Sequence, residues 1–147
     1  MTPYESELAS FLDGGGRLLM SGQDILDQAA GTTAFMKSYV HVDWDGTERQ
    51  NDKATTDVTA VAGNPVTTGL GTVTINHNVL NATFEDQITP IAPATAAFKD
   101  DTGATDALTV ATGGYKVFFA AFPIEAFGTA ADKATLVGNT LSWFASS

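Results

Sequence analysis

One strand-like run near the C-terminus, residues 115–122 (YKVFFAAF), constrains the fold of this chain more than any other segment. Aromatic and apolar residues dominate the run, and Gly113-Gly114 just before it marks a tight turn. A run this apolar needs burial on both faces, so it predicts a central strand. Before it, residues 94–99 and 106–111 predict two shorter strands around the turn sequence Asp100-Asp101-Thr102-Gly103.

The N-terminal segment predicts a helix, a turn and a strand in that order. Residues 2–5 (TPYE) have the pattern of a capping box, and residues 14–16 (GGG) end the helix. The apolar residues between them share one helical stripe: Tyr4, Leu8, Phe11 and Leu12. Residues 17–20 (RLLM) then predict a buried strand, and residues 25–30 a second helix. This order is typical of a parallel α/β sheet.

The middle of the chain gives weaker signals. Residues 35–40 predict a helical stretch that ends near His41. Alternating side chains predict a short edge strand at residues 57–62 and another strand at residues 72–76. Residues 76–94 carry Asn, Pro and short apolar pairs and are interpreted as mostly loop.

The C-terminal helix is predicted to begin after Thr129, with Asp132 completing a second capping box. Its predicted buried stripe combines these residues: Leu136 or Val137, Leu141 and Phe144, with Trp143 on one flank. A length of 147 residues fits one domain, 1–147. Because a doubly wound domain begins with a strand and this chain begins with a helix, we expect the C-terminal part of a larger α/β domain, with the N-terminal strands missing.

The composition excludes several classes of function. Seventeen acidic against seven basic residues give a formal net charge of −10, which disfavours nucleic acid and anionic membranes as partners. The chain has no cysteine, so disulfides, thiolate metal sites and a cysteine nucleophile are excluded. A chain poor in Lys and Arg and rich in Thr, Ala and Gly is typical of bacterial secreted modules, so an extracellular or cell-surface location is expected.

Two blocks, residues 11–25 (FLDGGGRLLMSGQDI) and residues 115–127 (YKVFFAAFPIEAF), resemble a class I glutamine amidotransferase-like domain. The similarity is to the version that occurs as an accessory module in bacterial secreted multidomain proteins, including peptidases. The resemblance implies a flavodoxin-like, mostly parallel sheet flanked by helices. The predicted strands of residues 94–122 add an antiparallel hairpin in the C-terminal third.

The same resemblance permits a check of the catalytic positions. Ser21-Gly22-Gln23 follows an apolar strand where active members carry Cys-x-Gly-x-Gln, and Phe122 stands where they carry the catalytic histidine. Pro123 and Glu125 have counterparts in the family. A serine without an adjacent base is a poor nucleophile at neutral pH, so no catalytic residue and no cofactor is predicted. Ser21 is instead interpreted as a helix N-cap and Glu125 as a structural acceptor.

Three weaker candidates remain open. Asp43, Asp45 and Glu48 form an acidic turn with some calcium character, although the EF-hand pattern is not met, and a solvated turn is the favoured interpretation. Trp44 with Tyr39 offers a sugar-stacking platform or a lid on the core. The two histidines, His41 and His77, lack metal-binding spacing and are interpreted as surface or loop residues, with His77 folding over Ser21 as the alternative.

These observations predict a non-catalytic structural or interaction module of a larger secreted bacterial protein, with a peptidase as one candidate parent. Its expected partners are neighbouring domains of the parent chain or a second copy of itself. Two alternatives remain: a hydrolase with Ser21 as nucleophile, supported by Glu125 and His77, and a calcium- or glycan-binding module through the loop of residues 43–48.

Overall fold

The computed structural model describes residues 2–27, 31–50, 55–76, 78 and 84–147. Two α-helices are described, α1 (Glu5–Asp13) and α2 (Ala130–Ala145). Shorter helical turns lie at Thr2–Tyr4, Met36–Val40, Pro65–Thr67 and Ile124–Ala126. The strands, in chain order, are β1 (Arg17–Ser21), β2 (Val42–Asp43), β3 (Glu48–Gln50), β4 (Thr55–Ala60), β5 (Thr72–Asn76), β6 (Phe84–Asp86), β7 (Thr89–Pro90), β8 (Thr95–Asp100), β9 (Thr105–Ala111) and β10 (Lys116–Ala120).

Six of these strands form one mixed sheet in the order β1-β10-β9-β8-β4-β5. Only the β1–β10 contact is parallel, and every other neighbouring pair in this sheet is antiparallel. Two small antiparallel ribbons, β2–β7 and β3–β6, accompany the sheet. The expected flavodoxin-like, mostly parallel α/β fold is therefore wrong, because the sheet is mostly antiparallel and carries few helices.

The error arises where a crossover helix was expected after β1. Residues 22–27 form bends and turns instead of the start of a helix, while residues 28–30 lie outside the described part. The chain then builds β4 and β5 as an antiparallel pair, with β4 between β5 and β8. The predicted edge strand at residues 57–62 is thus an interior strand, and the interpretation of residues 76–94 as mostly loop misses β6 and β7.

The predictions of single elements were more accurate than the prediction of the sheet topology. Strand β10 is buried at every position and pairs on both sides, as its apolar sequence predicts. The hairpin of β8 and β9 forms around the predicted turn, and α2 begins with the predicted Thr129–Asp132 capping box. The N-terminal capping box is wrong, because α1 begins at Glu5 after a helical turn and has no side-chain cap.

The sheet separates two apolar cores. On the α2 side, Phe98, Phe122 and Phe127 pack around Leu136, and on the α1 side Leu12 packs with residues such as Phe119. The predicted helical stripes fit these cores only in part. Three of their large apolar residues are exposed: Tyr4 (69%), Phe11 (50%) and Leu141 (60%).

Buried and half-buried cations fix the C-terminal end of α2 across the sheet. The Lys116 Nζ atom donates to the carbonyl oxygens of Trp143 and Ser146, at 2.6 Å each. The Arg17 Nε atom donates to the Phe144 carbonyl at 3.3 Å. These bonds satisfy carbonyls that a helix end leaves without partners, so they hold α2 over the beginnings of β1 and β10.

Candidate functional site

Ser21 lies at the end of β1, where it joins two segments of backbone. Its Oγ accepts a hydrogen bond from the Ile124 N–H at 3.2 Å, so the hydroxyl ties β1 to the helical turn that follows β10. The bends after β1 mean that Ser21 does not cap a helix. His77, the base considered for it, lies outside the described residues.

Gln23 and Glu125, the two other positions suggested by the resemblance, differ in burial. The Oε1 atom of Gln23 is buried and has no hydrogen-bond partner among the described atoms. Glu125 lies exposed on the helical turn Ile124–Ala126 and follows Ile124, whose N–H bonds to Ser21. The position of the expected histidine is occupied by Phe122, which is fully buried against Phe127. The position of the expected catalytic histidine therefore holds no base.

The acidic turn of residues 43–48 makes local contacts. Asp43 accepts from the Trp44 N–H and lies 3.2 Å from the Lys37 Nζ, and these interactions lower the pKa of its carboxyl. Asp45 accepts from the Thr47 N–H at 2.9 Å, and Thr47 lowers its pKa. The backbone of Glu48 lies in β3, and its side chain is outside the description. Across the described residues, no group of three or more His, Asp or Glu side chains could hold a metal ion.

We expect calcium to leave the melting temperature of the chain unchanged beyond the effect of ionic strength. The carboxylates of Asp43 and Asp45 already bond to neighbouring groups, and a cation that binds only the folded state would raise the melting temperature as its concentration rises. The measurement is thermal unfolding across a calcium titration, with sodium chloride at matched ionic strength as control. A rise specific to calcium that Asp43→Asn removes would contradict this expectation.

The aromatic residues near this turn pack mainly against the α1-side core. The Tyr39 ring stacks on Phe35 at 5.5 Å and lies 5.9 Å from the Tyr115 ring. Trp44 donates its Nε1–H to the Thr47 carbonyl at 2.7 Å. The Tyr39 ring therefore packs against two other aromatic rings, as expected for a lid on the core.

His41 ends the helical turn Met36–Val40 in a left-handed conformation, with φ of 54°. Its Nε2 lies 3.1 Å from the Tyr115 hydroxyl, which in turn donates to the Tyr39 carbonyl. Partial burial lowers the pKa of His41. This histidine therefore sits in a structural network on the α1 side of the sheet, far along the chain from Ser21.

The sequence interpretation missed a buried acid cluster, which we define as Glu85, Asp86, Asp100, Asp101 and Asp106. Glu85, Asp86 and Asp106 are fully buried, and Asp100 is 5% exposed. Asp100 explains the turn between β8 and β9, since its Oδ1 accepts from the N–H groups of Thr102 and Ala104. Its Oδ2 accepts from the Gln87 Nε2 at 2.6 Å. Only the turn was visible in the sequence, because β6 was read as loop.

Asp106 is the unusual member of the acid cluster. Neither of its carboxyl oxygens has a hydrogen-bond partner among the described atoms. Burial, reinforced by the charges of Asp100, Glu85, Asp101 and Asp86, raises the pKa of Asp106 to about 9. The group is therefore protonated and neutral at pH 7, which avoids the large cost of burying an unpaired carboxylate. The sequence marks Asp106 only as the single acid in a strand that otherwise contains Thr, Ala, Leu and Val.

Two surface pockets lie away from all of these candidates. The larger, about 360 Å³, lies between β5 and the beginning of α2, and its lining includes three threonines and Asp132 as its one carboxylate. That carboxylate is engaged in the capping box, where it accepts from the Thr129 N–H at 2.8 Å. The smaller pocket, about 250 Å³, lies around Asn64 and carries no charged side chain. Neither pocket is lined by Ser21, Gln23 or Glu125.

No protein-family model and no curated protein sequence matches the chain. Solved structures do resemble it in fold, including three glycosidases. A β-galactosidase from Bacillus circulans sp. alkalophilus has a TM-score of 0.68 at 10% identity, over 95% of this chain and 20% of that chain. A β-galactosidase from Rahnella sp. R3 has a TM-score of 0.66 at 15% identity, over 95% and 20%. An exo-β-1,4-mannosidase from Opitutaceae bacterium strain TAV5 has a TM-score of 0.57 at 19% identity, over 97% and 22%.

These similarities replace the interpretation as a class I glutamine amidotransferase-like domain, which is wrong. The matched parts of the galactosidases are sheet-rich domains with mostly antiparallel strands, as in this chain. The association with peptidases has no support from them. The two sequence blocks correspond to a helix–turn–strand unit and a buried strand. Neither unit determines whether the neighbouring strands run parallel or antiparallel to it. The chain corresponds to one domain of these enzymes and spans about a fifth of their length.

Proposed function

We propose that this chain is a non-catalytic accessory domain of a larger protein of the glycoside hydrolase type, and that it acts by packing against other domains or another copy. The observation that carries the proposal is the share of each chain that the structural matches cover. Nearly the whole chain, 95–97%, corresponds to only 20–22% of each glycosidase. Such a unit is one domain among several in the enzymes it resembles.

The distribution of carboxyl groups supports a non-catalytic role. Glycosidases of the common two-carboxylate type need two acids flanking a cleft that admits the substrate, about 5 to 9 Å apart. Here the acid cluster has only Asp101 at the surface, and Asp106 is fully buried. The larger pocket has Asp132 as its one carboxylate, already used in a helix cap. Neither of the two pockets described above therefore carries a pair of carboxylates.

The rival hydrolase hypothesis makes Ser21 a nucleophile, and replacing it tests that role. We expect Ser21→Ala to cost about 0.5–1.5 kcal/mol of unfolding free energy, because the Ile124 N–H loses its acceptor. We also expect an active-site serine reagent to leave the unmodified chain unlabelled. Mass spectrometry after labelling and urea denaturation measure the two effects. Ser10→Ala, at an exposed helical serine, is the matched control.

The hydrolase hypothesis gains support if the unmodified chain is labelled and Ser21→Ala is not. A direct assay complements this experiment. Purified chain is incubated with nitrophenyl β-galactoside and β-mannoside, and we expect no release of nitrophenol above a blank. Hydrolysis that survives purification and tracks the mass of the chain would overturn the proposed non-catalytic role.

None of the helices in the described part of the chain is long and apolar enough to cross a membrane. The extracellular or cell-surface location expected from composition stays a prediction. The expectation that nucleic acid and membranes are not partners also stays a prediction. It depends on the net charge of −10.

A further inference from the structure

Strand β1 ends the six-stranded sheet, and its outer edge pairs with no other described strand. Two bonds fix which backbone groups face that edge. The Lys116 N–H donates to the Gly16 carbonyl, and the Gly22 N–H donates to the Ala120 carbonyl. In a parallel ladder the bonding residues alternate, so even-numbered residues of β1 face β10. The N–H and C=O groups of Arg17, Leu19 and Ser21 therefore point outward, and we call these groups the β1 edge.

The β1 edge is self-complementary about a two-fold axis. In an antiparallel pair, two residues that both face the partner can exchange two N–H···O=C bonds. With the axis at Leu19, that residue lies opposite its own copy, and Arg17 lies opposite Ser21. Arg17, Leu19 and Ser21 then each lie opposite a residue whose backbone N–H and C=O groups also point outward. An unpaired edge of this kind is a template for strand addition.

The side chains of the same residues agree with this arrangement. Leu19 is half-buried against the α2-side core, so two copies of it would meet and shield each other from water. Arg17 would lie opposite Ser21, and its guanidinium already donates to backbone carbonyls of its own chain, among them those of Phe144 and Gly114. No like charges are directly opposed across the pair, since Arg17 meets Ser21 and Leu19 meets its own copy.

We propose that two copies of this chain associate through antiparallel pairing of their β1 edges, which joins their sheets into one continuous sheet. This inference rests on the proposed function, and it names the partner and the surface. The alternative occupant, a strand from a neighbouring domain of a parent protein, is an outcome that the test separates. Because each copy carries a net charge of −10, the association strengthens with added salt, which screens their repulsion.

The absence of native cysteine makes disulfide trapping a direct test. In a bonded antiparallel pair the opposed Cα atoms lie about 5.5 Å apart, within the range of about 4.4–6.8 Å that a disulfide accepts. We expect Leu19→Cys to form a crosslinked dimer under mild oxidation. Leu18→Cys is the matched control on the same strand, since Leu18 would lie opposite Met20 and its two copies would be too far apart. Leu141→Cys, at an exposed leucine of α2, controls for random collision.

Light scattering of the unmodified chain, across concentration and salt, gives a readout that needs no variant. A dimer, together with crosslinking of Leu19→Cys well above both controls, supports the proposal. A dimer without that excess overturns it, because another surface then forms the contact. A monomer at all concentrations also overturns it and favours a strand from a neighbouring domain. Each of these outcomes leaves the non-catalytic role standing, which fails only if the chain hydrolyses glycosides.

Discussion

Asp106→Asn is expected to stabilise the fold at pH 8 and to leave it nearly unchanged at pH 4. The folded-state pKa of Asp106 is raised from 3.8 to about 9, so between these values the folded chain binds a proton that the unfolded chain has released. Stability from this group is therefore fully present below pH 4 and is lost as the pH rises through 9. The loss approaches about 1.4 kcal/mol per pH unit. Asparagine has nearly the same shape as the neutral acid and cannot ionise, so it removes this loss.

Urea denaturation of both proteins at several pH values between 4 and 9 measures the effect. We expect the difference in unfolding free energy to grow with pH and to reach on the order of 2 kcal/mol or more at pH 8. Asp57→Asn is the matched control, because it replaces the carboxyl of an exposed strand aspartate, whose Oδ1 accepts from the Thr74 hydroxyl. A difference that stays flat with pH would mean that Asp106 is ionised in the fold.

The groups around Asp106 explain why the effect should be large. Asp100 approaches from β8, Glu85 and Asp86 from β6, and Asp101 from the turn, and all four raise the pKa of Asp106. The same arrangement explains why no sequence pattern reveals it. The five acids come from three places in the chain, residues 85–86, 100–101 and 106, and they meet because the segment after β6 bonds to Asp100 and Thr105 at the β8–β9 turn. This environment results from pairing between strands that are distant in the chain, so local sequence patterns do not predict it.

The elements that were predicted correctly are determined by residues that lie close together in the sequence. Thr129 and Asp132 are three residues apart, and the run ending in Phe122 is apolar throughout its buried strand except at Lys116. The elements that were missed depend on distant partners. Glu48–Gln50 and Phe84–Asp86 are three-residue strands that become strands by pairing with each other.

The direction of pairing was the larger error, and β1 shows its source. A strand that follows a helix and a glycine turn fits a parallel sheet, and β1 does pair parallel with β10. Whether the remaining strands follow the same direction depends on the connection after Ser21, which bends where a helix was expected. Composition and spacing do not determine that connection. The candidate positions Ser21, Gln23 and Glu125 were found by the same resemblance, so their catalytic interpretation was no stronger than the topology it implied.

Phe122→Ala is expected to cost about 3–5 kcal/mol of unfolding free energy, the range for a large aromatic removed from a core. The ring of Phe122 stacks on Phe127 at 5.8 Å and contacts Phe98 edge-on at 6.2 Å. All three side chains are fully buried in the α2-side core, so the cavity left by alanine could not be filled by water without further cost. This position is therefore a packing site.

Urea denaturation measures the change as a shift in midpoint, with the slope unchanged if the unfolded state is unaffected. Phe11→Ala is the matched control, because the Phe11 side chain is 50% exposed and its removal should cost no more than about 0.5 kcal/mol. Similar losses for the two variants would show that Phe122 does not anchor the core. A large loss for Phe122 alone would show that this aromatic group holds α2 and the segment after β10 against the sheet. That segment carries Ile124, whose N–H bonds to Ser21 at the end of β1, so the same packing positions the β1 edge.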